Sequence, residues 1–232
     1  MTRPRFSDLL VTCEHATNHV PPEYASKFRG KREVLKTHRA WDPGAAVLAR
    51  ALAREFHVGA QHGRFTRLLI DLNRRESSSA AFSEFTPEGA RDALLDYHRR
   101  WRRGLFTNLA HTTGPILHVS CHSFTPVWNG EERRVDIGLL FDPGRSLESD
   151  TAKAWQEDLQ VALPGVRIRR NNPYRGVNDG VTSWLRKYFD ARRYAGIEIE
   201  LNQRFAAAPP RVWSGIRRAL LDAVGASMMN TP

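Results

Sequence analysis

Cysteine is scarce: the 232-residue chain holds two. Two thiols cannot build a disulfide scaffold, and in a reducing compartment they stay thiols. No apolar run reaches the roughly 18 residues that a membrane helix needs. The opening Met1-Thr2-Arg3-Pro4-Arg5-Phe6-Ser7-Asp8 has no apolar stretch behind its basic residues, so it does not read as a signal peptide. A cytoplasmic protein without a membrane partner is expected. Repeats, low-complexity tracts and long linkers are missing. So are a Gly-x-Gly-x-x-Gly fingerprint, a Walker loop and a Gly-x-Ser-x-Gly elbow, which disfavours dinucleotide, P-loop and serine-hydrolase readings. The Cys and His spacings match no structural zinc finger.

What is present suffices for a packed core. Hydrophobic residues make up 41% of the chain, and the length fits one α/β domain over 1–232. Lys and Arg number 35 against 25 Asp and Glu, a formal charge of +10. The surplus is mostly Arg spread along the chain, with short clusters at Arg99-Arg100, Arg102-Arg103 and Arg169-Arg170. Compositional bias accounts for it better than nucleic acid does, and a non-enzymatic nucleic-acid-binding protein is kept only as an alternative. The stretch Ser77-Ser78-Ser79-Ala80-Ala81 reads as a mobile loop.

Strand-like runs occur at 9–13, 68–70, 116–120, 137–141, 166–168 and 196–201, several of them apolar on both faces as buried parallel strands are. Helical patterns lie between them at 45–56, 87–109, 149–163, 180–189 and 210–224. Asp42-Pro43 reads as a cap and first-turn proline for the first helix, and Gly225 as the stop signal of the last. The alternation predicts an open, mostly parallel sheet with helices on both faces, whose site lies at the carboxyl ends of the strands.

Polar residues of catalytic type follow four of these runs. They are Glu14 and His15, His122 and Ser123, Glu198 and Glu200 with Asn202, and Arg67 with Asp71, Asn73 and Arg74. Two imidazoles and a carboxylate make a usual catalytic zinc triad with one position open to water. His15 and His122 supply the imidazoles, and Asp42 or Glu14 the carboxylate. Glu200 or Glu198 supplies a general base, Glu200 being nearer the strand end. Arg67 and Arg74 suit a substrate carboxylate. His118 shares parity with His122 but lies deeper, which favours a buried, hydrogen-bonded role. Cys13 and Cys121 read as small core residues, and His98 as a helix-surface residue.

Several segments together resemble the N-formylglutamate amidohydrolase family: Glu14-His15-Ala16-Thr17-Asn18-His19-Val20-Pro21, His38-Arg39-Ala40-Trp41-Asp42-Pro43-Gly44-Ala45, Ser120-Cys121-His122-Ser123-Phe124-Thr125-Pro126, Asn172-Pro173-Tyr174 and Gly196-Ile197-Glu198-Ile199-Glu200-Leu201-Asn202. The resemblance runs from about Leu9 to Phe205. It implies a fold similar to the zinc-dependent exopeptidases and the zinc cell-wall amidases. It also implies one Zn²⁺ per chain and hydrolysis of N-formyl-L-glutamate to formate and L-glutamate, a step of histidine degradation. The order of ligands in cell-wall amidases favours Asp42 over Glu14 as the third ligand and Glu200 as the base. Arg67, Arg74, Asn73, Asn202, Ser123 and Tyr174 are then expected to bind the N-acyl amino acid. A zinc hydrolase of another N-acylated acidic amino acid, or of a peptidoglycan fragment, is the alternative, and other divalent metals suit the same ligands.

Overall fold

The computed structural model describes residues 3–229. A six-stranded sheet runs through it in the order β2-β1-β3-β8-β6-β7. Its strands are β1 (Asp8–Cys13), β2 (Ala60–His62), β3 (Ile116–Phe124), β6 (Ile137–Leu140), β7 (Ile168–Arg170) and β8 (Tyr194–Asn202). Two further short strands, β4 (Val127–Trp128) and β5 (Glu131–Glu132), form a separate hairpin. The strands β2, β1, β3 and β8 are mutually parallel, whereas β6 runs antiparallel to β8 and parallel to β7. The expected mostly parallel sheet is therefore present, with one reversal between β8 and β6.

Helices α1 (Ala45–Glu55), α3 (Ser146–Ala162) and α5 (Pro210–Gly225) pack on one face, and α2 (Arg91–Ala110) and α4 (Val181–Leu185) on the other. Successive strand residues point to opposite faces, and the sequence uses this parity to separate core from site. The odd-numbered Val11, Cys13, Leu117, Val119, Cys121, Ile197 and Ile199 join the main core with Leu48, Trp155 and Leu220. The even-numbered Thr12, His118, Ser120, His122, Glu198 and Glu200 turn to the other face, and all are buried. Strands β3 and β8 are each buried over all nine residues, so these polar groups sit inside the molecule and must find partners.

Several local expectations need correction. The run 68–70 is no strand; its side chains fill a third cluster with Phe28 and Phe85. The segment at Ser77 is pinned: Ser78 caps a short 3₁₀ turn at Ser79–Ala81, and the Ala81 carbonyl accepts from the Asp71 amide at 2.8 Å. The residue capping α1 is Gly44 in the left-handed region (φ 88°), not Asp42, whose side chain is left for other use. The fourth helix spans only Val181–Leu185, and Gly225 lies within α5, which is capped by Ala226.

Candidate active site

The carboxyl ends of β1, β3 and β8 open into one cavity of about 200 Å³ lined by His15, Asp42, His122, Glu198 and Glu200. His15 follows the end of β1, and its carbonyl accepts the Asp42 amide at 2.9 Å, which sets the two side by side. Both imidazoles aim Nδ1 at the same carboxylate oxygen, Asp42 Oδ2, at 3.3 Å for His15 and 2.9 Å for His122. The rings meet edge to face with centroids 5.0 Å apart. One donor atom from each of His15, Asp42 and His122 lies within 4.8 Å of the other two.

Each member of this cluster is held from behind by a charged group. His15 Nε2 faces Asp71 Oδ1 at 2.7 Å, and His122 Nε2 faces Glu14 Oε2 at 2.9 Å. The Ser120 hydroxyl donates to the same Glu14 oxygen at 2.8 Å. Arg67 pairs with Asp42 Oδ1, and the Ser123 amide donates to Asp42 Oδ2 at 3.3 Å. Burial acts against all three acids, yet their partners prevail. Arg67 and the histidines hold Asp42 well below the usual carboxylate range, His15 does the same for Asp71, and His122 brings Glu14 down to about 2. Burial also opposes a charged His122, but Asp42 and Glu14 on its two nitrogens raise its pKa well above the ordinary value.

Glu200 behaves in the opposite way. Its Oε2 is buried without a hydrogen-bond partner, and burial pushes its carboxyl up to about 8. It lies opposite His122 in the β3–β8 register. Glu198 shares the cavity, but its Oε1 accepts the Thr182 hydroxyl at 2.5 Å.

Two expected placements fail. Glu14 does not join the Asp42 cluster. It continues the parity of β1 and turns beneath His122, while His15 turns towards the cavity. Asn202 does not line the cavity; its amide donates to the Val135 carbonyl at 3.1 Å and its oxygen caps the turn at Gln203–Phe205. Arg67, Asn73, Arg74, Ser123 and Tyr174 do line it. Arg74 donates to the Asp179 carbonyl at 2.8 Å, and Asn73 accepts the Val181 amide at 2.8 Å. The Tyr174 hydroxyl accepts from Arg133 at 3.0 Å, and the Ser123 hydroxyl donates to the Pro43 carbonyl at 2.9 Å. His38 and Asp71 take places for which the sequence offered no role. His38 lines the cavity, and Asp71 stands behind His15. The available signal for Asp71 was its place between the apolar run 68–70 and Asn73-Arg74.

The N-formylglutamate amidohydrolase family model matches residues 7–90 and 80–207. The chain belongs to this family. Of the site residues, His15, Asp42 and Asp71 fall in the first match, and His122, Glu198 and Glu200 in the second. Among solved structures, the crystal structure of gene product Atu2144 from Agrobacterium tumefaciens is 30% identical, with a TM-score of 0.77 over 95% of this chain and 90% of that one. N-formylglutamate amidohydrolase from Ralstonia eutropha JMP134 shares the fold at 15% identity, with a TM-score of 0.65 over 95% of this chain and 93% of that one. No curated protein matches the sequence. Membership of the amidohydrolase family makes this chain a hydrolase. Among the described residues no helix is long and apolar enough to cross a membrane.

Proposed function

We propose that the chain is a zinc-dependent amide hydrolase that cleaves N-formyl-L-glutamate to formate and L-glutamate. The observation that carries this reading is the convergence of His15, Asp42 and His122 in a buried cluster, with an unpartnered Glu200 in the same cavity. The donor set fits a divalent cation. Two imidazole nitrogens and a carboxylate oxygen form a common zinc set. Arg67 pairs with Asp42, while Asp71 and Glu14 face the two imidazoles, so the cluster is rich in buried carboxylate and favours a cation. An ion held by His15, Asp42 and His122 supplies Lewis-acid polarisation of the scissile carbonyl.

The chain's own residues supply the rest. Glu200 takes a proton from the attacking water and delivers it to the leaving amine, a role suited to a carboxyl raised towards neutrality by burial. The water oxygen ends on formate and its proton on the amine of glutamate. Arg74 and Arg175 line the cavity and present the cationic groups that a dicarboxylate requires.

The test is metal content of the purified protein, followed by formate release from N-formyl-L-glutamate before and after chelation. About one zinc per chain with chelator-sensitive release is expected. Metal without formate moves the substrate to another N-acylated acidic amino acid or a peptidoglycan fragment. Protein that takes up no metal on reconstitution overturns the reading. Glu200→Gln is expected to lower kcat by about 10²–10⁴-fold with its metal content unchanged, and a variant of wild-type rate removes Glu200 from the reaction.

A further inference from the structure

The two acids that the cluster leaves outside, Glu14 and Asp71, occupy equivalent stations. A neutral imidazole carries one N–H and one lone pair, and a hydrogen-bond acceptor on one nitrogen decides which is which. Asp71 accepts at His15 Nε2 and Glu14 at His122 Nε2, while both Nδ1 atoms face Asp42. The acids come from different parts of the chain. Glu14 lies two residues beyond the Thr12–Ser120 register pair, which brings it under His122 on the neighbouring strand. Asp71 comes from the turn after the 68–70 run, and its second role is to accept the Asn73 amide at 2.8 Å. Glu14 is 1% exposed and Asp71 8%, so water cannot take over either task.

We infer that Asp71 and Glu14 are positioning residues that fix His15 and His122 in the Nε2–H tautomer and thereby hold both Nδ1 lone pairs on the metal position. This rests on the metal-dependent reading above. The dipeptide Glu14-His15 thus serves both histidines. His15 is itself one of the pair, and Glu14, on the same face of the sheet as His122, orients the other. Neither acid touches the substrate cavity as a ligand. Their contribution is to ligand basicity and ring orientation, which in metal sites is typically worth 10–100-fold in metal affinity.

The experiment compares wild type, Asp71→Asn and Glu14→Gln for zinc affinity, by competition with a chromogenic chelator. The melting temperature of each metal-free protein is measured alongside. Both variants keep shape and lose charge. Each is expected to bind zinc 10–100-fold more weakly. A merely structural role lowers the melting temperature of the metal-free protein and leaves the affinity unchanged, and that outcome overturns the inference. Should Glu14→Gln fail to fold, Asp71→Asn decides the matter, because Asp71 is the less deeply buried of the two. A second measurement needs no variant. In wild-type protein labelled with ¹⁵N-histidine and loaded with ¹¹³Cd²⁺, cadmium coupling is expected at Nδ1 of two imidazoles whose Nε2 carries a proton. Coupling at Nε2 overturns the assignment. Wild type that takes up no metal removes the metal-dependent reading itself. Metal uptake unaffected by both substitutions removes only this inference.

Discussion

His118 is fully buried between the Thr12 hydroxyl at 2.9 Å and the Tyr194 hydroxyl at 2.6 Å. Burial dominates its titration and pulls its pKa down from 6.5 to about 4. Above pH 6.5 the ring is neutral in both folded and unfolded chains, and it adds no pH dependence. Below 6.5 the unfolded chain takes up the proton first, so stability falls until about pH 4, by about 3 kcal/mol in all. Urea unfolding between pH 4.5 and 7 is expected to show a shallower pH slope for His118→Asn than for wild type; equal slopes would mean that His118 does not carry this dependence. At this scale much was legible. Whereas Asp42, which lies on no strand, was favoured only through the family resemblance, His15, His122 and Glu200 meet as expected because strand ends can be read from apolar runs. The buried His118 was read correctly for the same reason, and so were Cys13 and Cys121, whose thiols burial pushes up and which lie in the core. Glu14 was the ambiguous case. Whether it or His15 entered the cavity depended on the turn after β1, and turn geometry leaves no periodic trace.

Helix α2 does more than cover the sheet. Its buried stripe is Leu94, His98, Trp101, Arg102, Leu105 and Leu109, and two of these six are polar. His98 Nε2 donates to the Arg74 carbonyl at 2.8 Å, and Arg102 donates to the Leu72 and Arg74 carbonyls at 3.2 and 2.8 Å. Arg102 stacks on Trp184 with 5.2 Å to the ring centroid, and burial lowers its pKa. The turn that bears Asp71, Asn73 and Arg74 is therefore anchored by its own carbonyls to a helix one layer below. Arg102→Met is expected to cost about 1–3 kcal/mol and to speed amide hydrogen exchange at Asn73 and Arg74. Unchanged exchange at both would show that the anchor lies elsewhere. This stripe also explains why His98 is not the helix-surface residue expected. A polar residue at a core-facing position looks solvent-exposed until the carbonyls it serves are known. The helices themselves were legible from their period, except that the fourth ends after five residues. The missing strand β2 has only three residues, Ala60–His62, and no apolar pattern to announce it.

For the whole molecule, the charge of +10 is spread rather than gathered. Of the α2 cluster, Arg99 pairs with Glu76 and Arg102 is buried, so the run does not present one basic face. The net field nevertheless favours a dianionic substrate. Raising ionic strength from about 0.01 M to 0.15 M shortens the screening length from about 30 to 8 Å, and KM for N-formyl-L-glutamate is expected to rise several-fold while kcat stays constant. A flat KM would confine recognition to direct contacts within the cavity. The open, mostly parallel sheet with its site at the carboxyl ends was legible from alternation alone. The reversal of β6 was not, since an apolar run carries no direction.

One position joins these scales. Gly138 on β6 lies opposite Glu200 in the antiparallel register, and a Cβ built there would run into the Asn172 carbonyl oxygen and come within 3.2 Å of Glu200 Cβ. Only a glycine at 138 thus leaves room for both Glu200 and the segment leading to Tyr174. In evolutionary language, position 138 is epistatic to both neighbours. A lineage reshaping this wall of the cavity has to move the Asn172 segment before, or together with, any change at 138.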